Sequence, residues 1–115
     1  MSDPIVHFEV AGSNESTLKD FYRELFDWKL QPMGPGYTLL ETPPASPNGT
    51  IREAEQAGLT VGVGVDDLDA SLAKAAESGG SIVMPATDNG YVNKGQIADP
   101  AGNVITLIEN SKPTA

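Results

Sequence analysis

The sequence predicts an α+β fold built from two copies of one β-α-β-β-β module. Two stretches with the apolar period of an amphipathic helix lie about 54 residues apart. Each is preceded by one strand-like stretch and followed by three more, in which apolar and polar residues alternate. We therefore expect a single domain, residues 1–115, with module one at about 4–56, module two at about 58–110 and a loose tail at 111–115.

Module one begins with a strand over 5–10, where alternation places His7 and Glu9 on one face and Val10 on the other. Ser13 or Asn14 is expected to cap the first helix, which ends near Asp27. The stretches WKLQPM and YTLLET predict two strands around a GPG turn, and TIREAE after a proline-rich loop predicts a short fourth strand. The apolar stripe of the helix is predicted to lie in the core and consists of Leu18, Phe21, Tyr22, Leu25 and Phe26.

Module two repeats this plan. The stretch LTVGVGV predicts its first strand, Asp66 or Asp67 caps the second helix, and Gly79 or Gly80 terminates it. The stretches SIVMP, YVNKGQIA and VITLIE predict the three remaining strands, with DPAGN as a tight turn before the last. The cluster Asp66, Asp67 and Asp69 is explained by helix capping and the helix dipole.

Composition excludes several classes of function. The chain has no cysteine, so disulfides, zinc–thiolate sites and thiol nucleophiles are absent. No apolar run approaches the ~20 residues of a membrane span, and the N-terminus lacks a secretion signal, so we expect a cytoplasmic protein. With a net charge of −9 and only seven lysines and arginines, nucleic acid is not an expected partner. The acidic balance favours a neutral or cationic small organic ligand.

Three stretches carry a family resemblance: VHFEVAGSNESTLKDFYRELFDWKL, VDDLDASLAKAAESGGSIVMP and IADPAGNVITLIE. They resemble the vicinal oxygen chelate superfamily, the group of glyoxalase I, bleomycin- and fosfomycin-resistance proteins and extradiol dioxygenases, over nearly the whole chain. The resemblance implies curved mixed sheets that form a U-shaped cleft, with small members completing their clefts by dimerisation. A homodimer with two equivalent sites is therefore expected.

The resemblance also implies where a divalent metal would bind, at one position on the first and one on the last strand of each module. These positions fall on His7, the only histidine, on Thr60 and on Thr106, with Arg52 or Glu53 left open for the fourth. Threonine hydroxyls are poor ligands for the metals this family uses. No cofactor is therefore expected. If a metal (Ni, Zn, Mn or Fe) does bind, His7 and Glu53 are its predicted ligands.

A mostly apolar cleft with a few polar groups is typical of a small-molecule site. Alternating glycines in TVGVGV leave space above that strand, either for a flat ligand or for close packing. His7 is either a pocket residue bonded to a neighbour such as Glu9 or, paired with Glu9, an acid/base catalyst. The predicted ligand-binding residues are His7, Tyr37, Leu39, Thr60, Gly62, Gly64, Tyr91, Asn93, Gln96, Thr106 and Ile108, with Val104 beside them on the last strand.

The functional prediction is a small-molecule-binding protein with a degenerate metal site, resembling resistance proteins that sequester drugs. Whether it is an enzyme is left open, with the sequence favouring a non-enzyme. The alternatives are a glyoxalase-like lyase or isomerase with unusual metal ligands, a metal-independent isomerase that uses His7, and a non-catalytic regulatory or scaffold dimer. Extradiol dioxygenase chemistry is excluded because each cleft would receive one histidine.

Overall fold

The structure, a computed structural model, describes residues 2–110, and the predicted tail at 111–115 lies outside the described residues. Its elements follow the predicted order, β-α-β-β-β twice. The first module contains β1 (Ile5–Gly12), α1 (Glu15–Phe26), β2 (Lys29–Gly34), β3 (Tyr37–Glu41) and β4 (Asn48–Glu53). The second contains β5 (Gly58–Val65), α2 (Leu68–Glu77), β6 (Ser81–Asp88), β7 (Asn93–Ala98) and β8 (Val104–Glu109).

The two modules have the same sheet topology. In the first, the strand order is β2-β3-β4-β1, and in the second it is β6-β7-β8-β5. The first and last strands of each module, β1 with β4 and β5 with β8, pair in parallel, while the other pairings are antiparallel. The predicted α+β class and the internal repeat are confirmed.

The chain divides into two compact units whose boundaries differ slightly from the predicted modules. One unit is Val6–Val61, and among the described residues the other combines 2–5 with 62–110. The N-terminal segment joins the second unit in part because the Pro4 carbonyl accepts a hydrogen bond from the Gly64 backbone N–H at 2.9 Å.

Both helices begin and end at the predicted places. The side chain of Asn14 caps α1 by accepting from the Thr17 N–H, and α1 ends at Asp27, whose backbone is left-handed (φ 58°). Asp67 caps α2 by accepting from Ala70 N–H, so its carboxylate is a capping group, as predicted. Gly79, with φ 99°, follows the end of α2 and fills the predicted role of left-handed terminator.

The two helices differ in how they bury their apolar stripes. In α2, Leu68 and Leu72 are buried with Val65 and Leu107 in the core of the second unit. The prediction that the α1 stripe lies in the core is wrong, because no residue of α1 is buried. Phe21, Leu25 and Phe26 are 50–59% exposed. The period of apolar residues shows that one face of a helix is apolar, but it does not show whether another element covers that face.

Several strands differ from their predicted bounds by one to three residues, and the differences at β4 and β7 affect the candidate site. β4 begins at Asn48, two residues before the predicted start, and ends at Glu53. β7 begins at Asn93, so Tyr91 lies in the preceding loop rather than in a strand. The Tyr91 N–H donates to Asn89 Oδ1, and the residue is 84% exposed. Within residues 2–110, no helix is long and apolar enough to cross a membrane.

The DPAGN turn before β8 is organised by Asp99. Its carboxylate accepts from the backbone N–H groups of Ala101 and Asn103 and from the Asn103 side-chain amide, each at 2.9 Å. The bond from the Asn103 side chain is the largest cause that lowers the pKa of Asp99 below its ordinary value of 3.8.

This shift predicts how the turn responds to acid. Because the pKa is lowered in the folded state, Asp99 stabilises the protein above its ordinary pKa, and the contribution is lost as the pH falls through the folded value. The Tm difference between the parent protein and Asp99→Ala should therefore be constant from pH 7 to about 5 and shrink below about 4. A difference that stayed constant down to pH 2 would contradict this account.

Candidate functional site

Four linked polar side chains lie on the sheet face of the first unit opposite α1. The His7 imidazole Nε2 lies 3.2 Å from Thr50 Oγ1, and Thr50 Oγ1 lies 3.4 Å from Glu9 Oε2. The second oxygen of Glu9 accepts a hydrogen bond from Arg52 Nε at 2.9 Å. We call these four side chains (His7, Thr50, Glu9 and Arg52) the polar chain. They meet because parallel pairing sets Glu9 opposite Thr50 and places alternate residues of both strands on one face.

The hydroxyl of Thr50 determines the direction of these hydrogen bonds. Thr50 is only 1% exposed, so water cannot readily replace its partners. An ionised carboxylate can only accept, and a hydroxyl has one proton to donate. Thr50 therefore donates to Glu9 and accepts from His7 Nε2–H, which assigns the ring hydrogen to Nε2 in the neutral imidazole.

Tyr37 and Leu39 lie on the same face as the polar chain, as predicted. In the antiparallel ladder between β3 and β4, Tyr37 pairs with Arg52 and Leu39 with Thr50. Directly paired residues share a sheet face, so an aromatic and an aliphatic side chain flank the polar groups. This combination suits an organic ligand with an apolar body and a few polar atoms.

The structure places Glu53, the conditional metal ligand of the sequence analysis, away from His7. Its two carboxylate oxygens accept from the backbone N–H groups of Asn14 at 2.8 Å and Glu15 at 2.7 Å. The side chain therefore points to the start of α1, on the face opposite the polar chain. The second module repeats this contact, since Glu109 accepts from the Leu68 N–H at the start of α2. Both carboxylates complement helix N-termini.

The repeat identifies the fourth metal-ligand position that the sequence left open. Thr106 lies three residues before Glu109, and Thr50 lies three residues before Glu53. Thr106 pairs with Gly62 and Thr50 with Glu9, at matching places in the two parallel ladders. The four positions are therefore His7, Thr50, Thr60 and Thr106.

This set of side chains does not fit a divalent metal of the kind the family binds. Three of the four positions carry neutral hydroxyls, which are weak ligands. The carboxylate of Glu9 is already engaged by Arg52 and Thr50. Among residues 2–110, no group of three or more His, Cys, Asp or Glu side chains is arranged to hold a metal ion.

In the second unit, the sheet face opposite α2 carries part of the predicted ligand-binding set. Gln96 Nε2 donates to Thr106 Oγ1 at 3.1 Å across the ladder between β7 and β8. Gly62 pairs with Thr106 and Gly64 with Ile108, which places all four residues of these two pairs on this face. Lys94 pairs with Ile108 and joins the same face, although it was not predicted. Lys94 lies two residues before Gln96, so strand alternation alone predicts that the two share a face.

Two predicted ligand-binding residues do not belong to this face. Asn93 lies on the face opposite Gln96 and shares that face with Gly95, where an added Cβ would lie 3.1 Å from the Leu72 side chain of α2. Tyr91 lies in the loop before β7, outside the sheet. The Tyr91 error arises because the predicted strand began two residues too early. The Asn93 error is separate, since Asn93 and Gln96 lie three residues apart and alternation puts them on opposite faces. Thr60 on β5 is half-buried and belongs to the first unit.

Comparison with solved structures supports the fold. Methylmalonyl-CoA epimerase from Mycobacterium tuberculosis is 17% identical, with a TM-score of 0.73 over 94% of this chain and 88% of that one. A hypothetical protein from Bacillus halodurans C-125 is 12% identical, with a TM-score of 0.74 over 100% and 99% of the two chains. The Mn(II)-bound glyoxalase from Novosphingobium aromaticivorans is 11% identical, with a TM-score of 0.73 over 99% of this chain and 44% of that one.

Sequence comparison establishes the family. Among curated proteins, no sequence is significantly similar to the chain. The model of the glyoxalase/bleomycin resistance protein/dioxygenase superfamily matches residues 5–107, which extend from β1 into β8 and include the polar chain. The two-module topology and this match together show that the chain belongs to the glyoxalase/bleomycin resistance protein/dioxygenase superfamily.

Proposed function

We propose that this protein binds a small organic molecule, neutral or cationic, in the cytoplasm and without a protein-bound metal. The observation that carries the proposal is the buried Thr50 hydroxyl at a position where metal enzymes of the family place a ligand. Thr50 organises His7 and Glu9 into a hydrogen-bonding surface, and Tyr37 and Leu39 supply apolar contacts beside it. Such a surface recognises a ligand by shape and hydrogen bonds.

The first experiment separates ligand binding from metal binding. Protein purified without chelator, then incubated with nickel, zinc, manganese or iron and desalted, should contain well below one metal per chain by elemental analysis. Metal-free bleomycin, a cationic compound named in the family description, should raise the Tm equally with and without chelator. One tightly held metal per chain, lost in His7→Ala, would refute the proposal.

Thr50→Val tests the role of the polar chain at nearly constant volume. Loss of one organising hydroxyl should weaken bleomycin binding by about three- to tenfold, measured by calorimetry. Thr87→Val is the matched control, because Thr87 is exposed and its hydroxyl donates only to the nearby Pro85 carbonyl. Equal affinities of the two variants would exclude the Thr50 face as the binding surface.

The polar chain also supports a second candidate, metal-independent proton transfer by His7. Its imidazole is oriented by Thr50, which is in turn bonded to Glu9, an arrangement suited to holding a general base. Methylmalonyl-CoA, bound by one structurally similar epimerase, is a suitable probe. Exchange of its α-hydrogen with deuterated solvent in the presence of chelator, abolished in His7→Ala, would favour this reading over sequestration.

We also propose that the protein is a homodimer, as its family resemblance implies. Analytical ultracentrifugation over a range of concentrations tests this directly. A mass of twice 12.0 kDa is the expected result, and a monomer at all concentrations would overturn it.

A further inference from the structure

A concave site lies in the first unit, where α1 ends and the β3–β4 loop begins. This site, which we call the loop cavity, has a volume of about 560 Å³. Its walls are Phe26, Asp27, Trp28, Lys29, Glu41 and the segment 42–48, apart from Pro47. None of the four polar-chain residues lines it, so it is a separate candidate site.

One wall of the loop cavity is aromatic. Phe26 and Trp28 have ring centroids 4.8 Å apart, and Phe26 is 50% exposed. Trp28 is held in place by Tyr22, which stacks on it at 5.8 Å, and by Phe8 at 5.7 Å. These ring contacts restrict the rotamers of Trp28, which lowers the entropy cost of binding a ligand against it.

Another wall is the loop at 42–48, whose two ends are joined by hydrogen bonds. The Thr42 hydroxyl donates to the Pro47 carbonyl at 2.8 Å, and Asn48 Oδ1 accepts from the Thr42 N–H at 3.0 Å. The Ser46 N–H donates to the Pro43 carbonyl at 3.1 Å. Prolines at 43 and 44 restrict the backbone further, so the cavity exists without a ligand.

The charged groups of the loop cavity are two carboxylates and one ammonium. Asp27, Glu41 and Lys29 are all exposed, and within the described part of the chain none of the three forms an ion pair. The local balance is therefore negative by one charge, in a protein whose net charge is −9. Aromatic rings and carboxylates together attract a cation that has an apolar body, since the ring face is itself negative.

We propose that the loop cavity binds small organic cations, such as quaternary ammonium compounds, between the Phe26–Trp28 wall and the carboxylates of Asp27 and Glu41. This binding goes beyond the function proposed for the polar chain and does not depend on it. The aromatic rings contact the apolar body and the cationic head, and the carboxylates supply the charge preference over neutral and anionic molecules of similar size.

Trp28 provides a direct readout, because it is the only tryptophan in the chain. Its fluorescence is measured while the full-length protein is titrated with benzyltrimethylammonium, benzyl alcohol and benzenesulfonate. We expect a saturable change with the cation, an affinity for the neutral alcohol about tenfold weaker, and no saturable change with the anion. Equal responses to the cation and the alcohol, or no saturation with the cation, would overturn the proposal.

Three charge variants test the site, because two of them should lower its affinity for the cation and the third should raise it. Glu41→Gln and Asp27→Asn should each weaken cation binding by about two- to fivefold, and Lys29→Gln should strengthen it by a similar factor. Asparagine also tolerates the left-handed backbone at position 27, so Asp27→Asn preserves the end of α1. Circular dichroism verifies that each variant is folded.

Glu77→Gln is the matched control, because it removes one negative charge from an exposed residue of α2 in the other unit. It should leave the cation affinity unchanged. If it weakens binding as much as Glu41→Gln, the effect is due to net charge alone and the loop cavity is not the site. The same conclusion follows if Lys29→Gln weakens binding.

Discussion

Gly49→Ala is expected to lower the free energy of unfolding by about 2 kcal/mol, measured by urea denaturation. A Cβ at this buried position of β4 would lie 2.4–2.6 Å from three ring atoms of Phe8 on the neighbouring strand. The Phe8 ring cannot move freely, because it packs against Trp28 at a centroid distance of 5.7 Å. The added methyl group therefore forces either the ring or the backbone of β4 to shift.

Gly58→Ala is the control for the intrinsic effect of replacing a strand glycine. Nothing lies within 4 Å of its Cβ position, so we expect a change within about 0.5 kcal/mol. Phe8→Leu in the Gly49→Ala background should recover part of the lost stability, because the shorter side chain makes room for the methyl group. If the two glycine variants lose equal stability, contact with Phe8 is not the cause.

The strand faces were predictable because alternation has a period of two and the core residues fix its phase. Val10 is buried in β1, so His7 and Glu9 had to share the other face, and the structure joins them through Thr50. The same alternation puts Lys94 and Gln96 on one face of β7, and the structure joins Gln96 to Thr106. One buried position assigns every other residue of a short strand to a face, so strand faces require no knowledge of distant contacts.

The ladder between β1 and β4 was not predictable from the same signals. β4 is short and follows a proline-rich loop, so its pairing with β1 could not be read from alternation alone. The internal repeat could have aligned β4 with β8, because Glu53 and Glu109 occupy matching positions, and so do Thr50 and Thr106. The family resemblance suggested Glu53 as a metal ligand, but here the start of α1 binds its carboxylate instead.

The surroundings of α1 illustrate a second limit of sequence reasoning. Its stripe predicted burial, yet Phe21 and Leu25 remain more than half exposed, while the matching stripe of α2 contains the buried Leu68 and Leu72. Sequence patterns did not predict the loop cavity either. It depends on the left-handed backbone of Asp27 and on the path of the loop at 42–47, and neither follows from periodicity.

Glu53→Ala is expected to lower the free energy of unfolding by about 1–2 kcal/mol, because the N–H groups of Asn14 and Glu15 lose a shared charged acceptor. Glu55→Ala, two residues later and exposed, is the matched control and should change stability by less than about 0.5 kcal/mol. Glu109→Ala should be destabilising for the same reason as Glu53→Ala, since it removes the acceptor from the Leu68 N–H.

These variants also distinguish two roles for Glu53, stabilising the start of α1 and binding a metal, because the two roles predict opposite results. If the carboxylate only stabilises the start of α1, Glu53→Ala lowers stability, leaves ligand affinity at the polar chain unchanged and does not alter metal content. His7→Ala should then show the reverse pattern, with weaker ligand binding and a smaller loss of stability.

A divalent metal that binds the parent protein and is lost in both variants would instead bring Glu53 and His7 together in one metal site. That result requires a β4 register different from the one in which Thr50 faces His7 and Ile51 lies in the core. Metal content and unfolding free energy of the same variants therefore test the strand register and the proposed chemistry together.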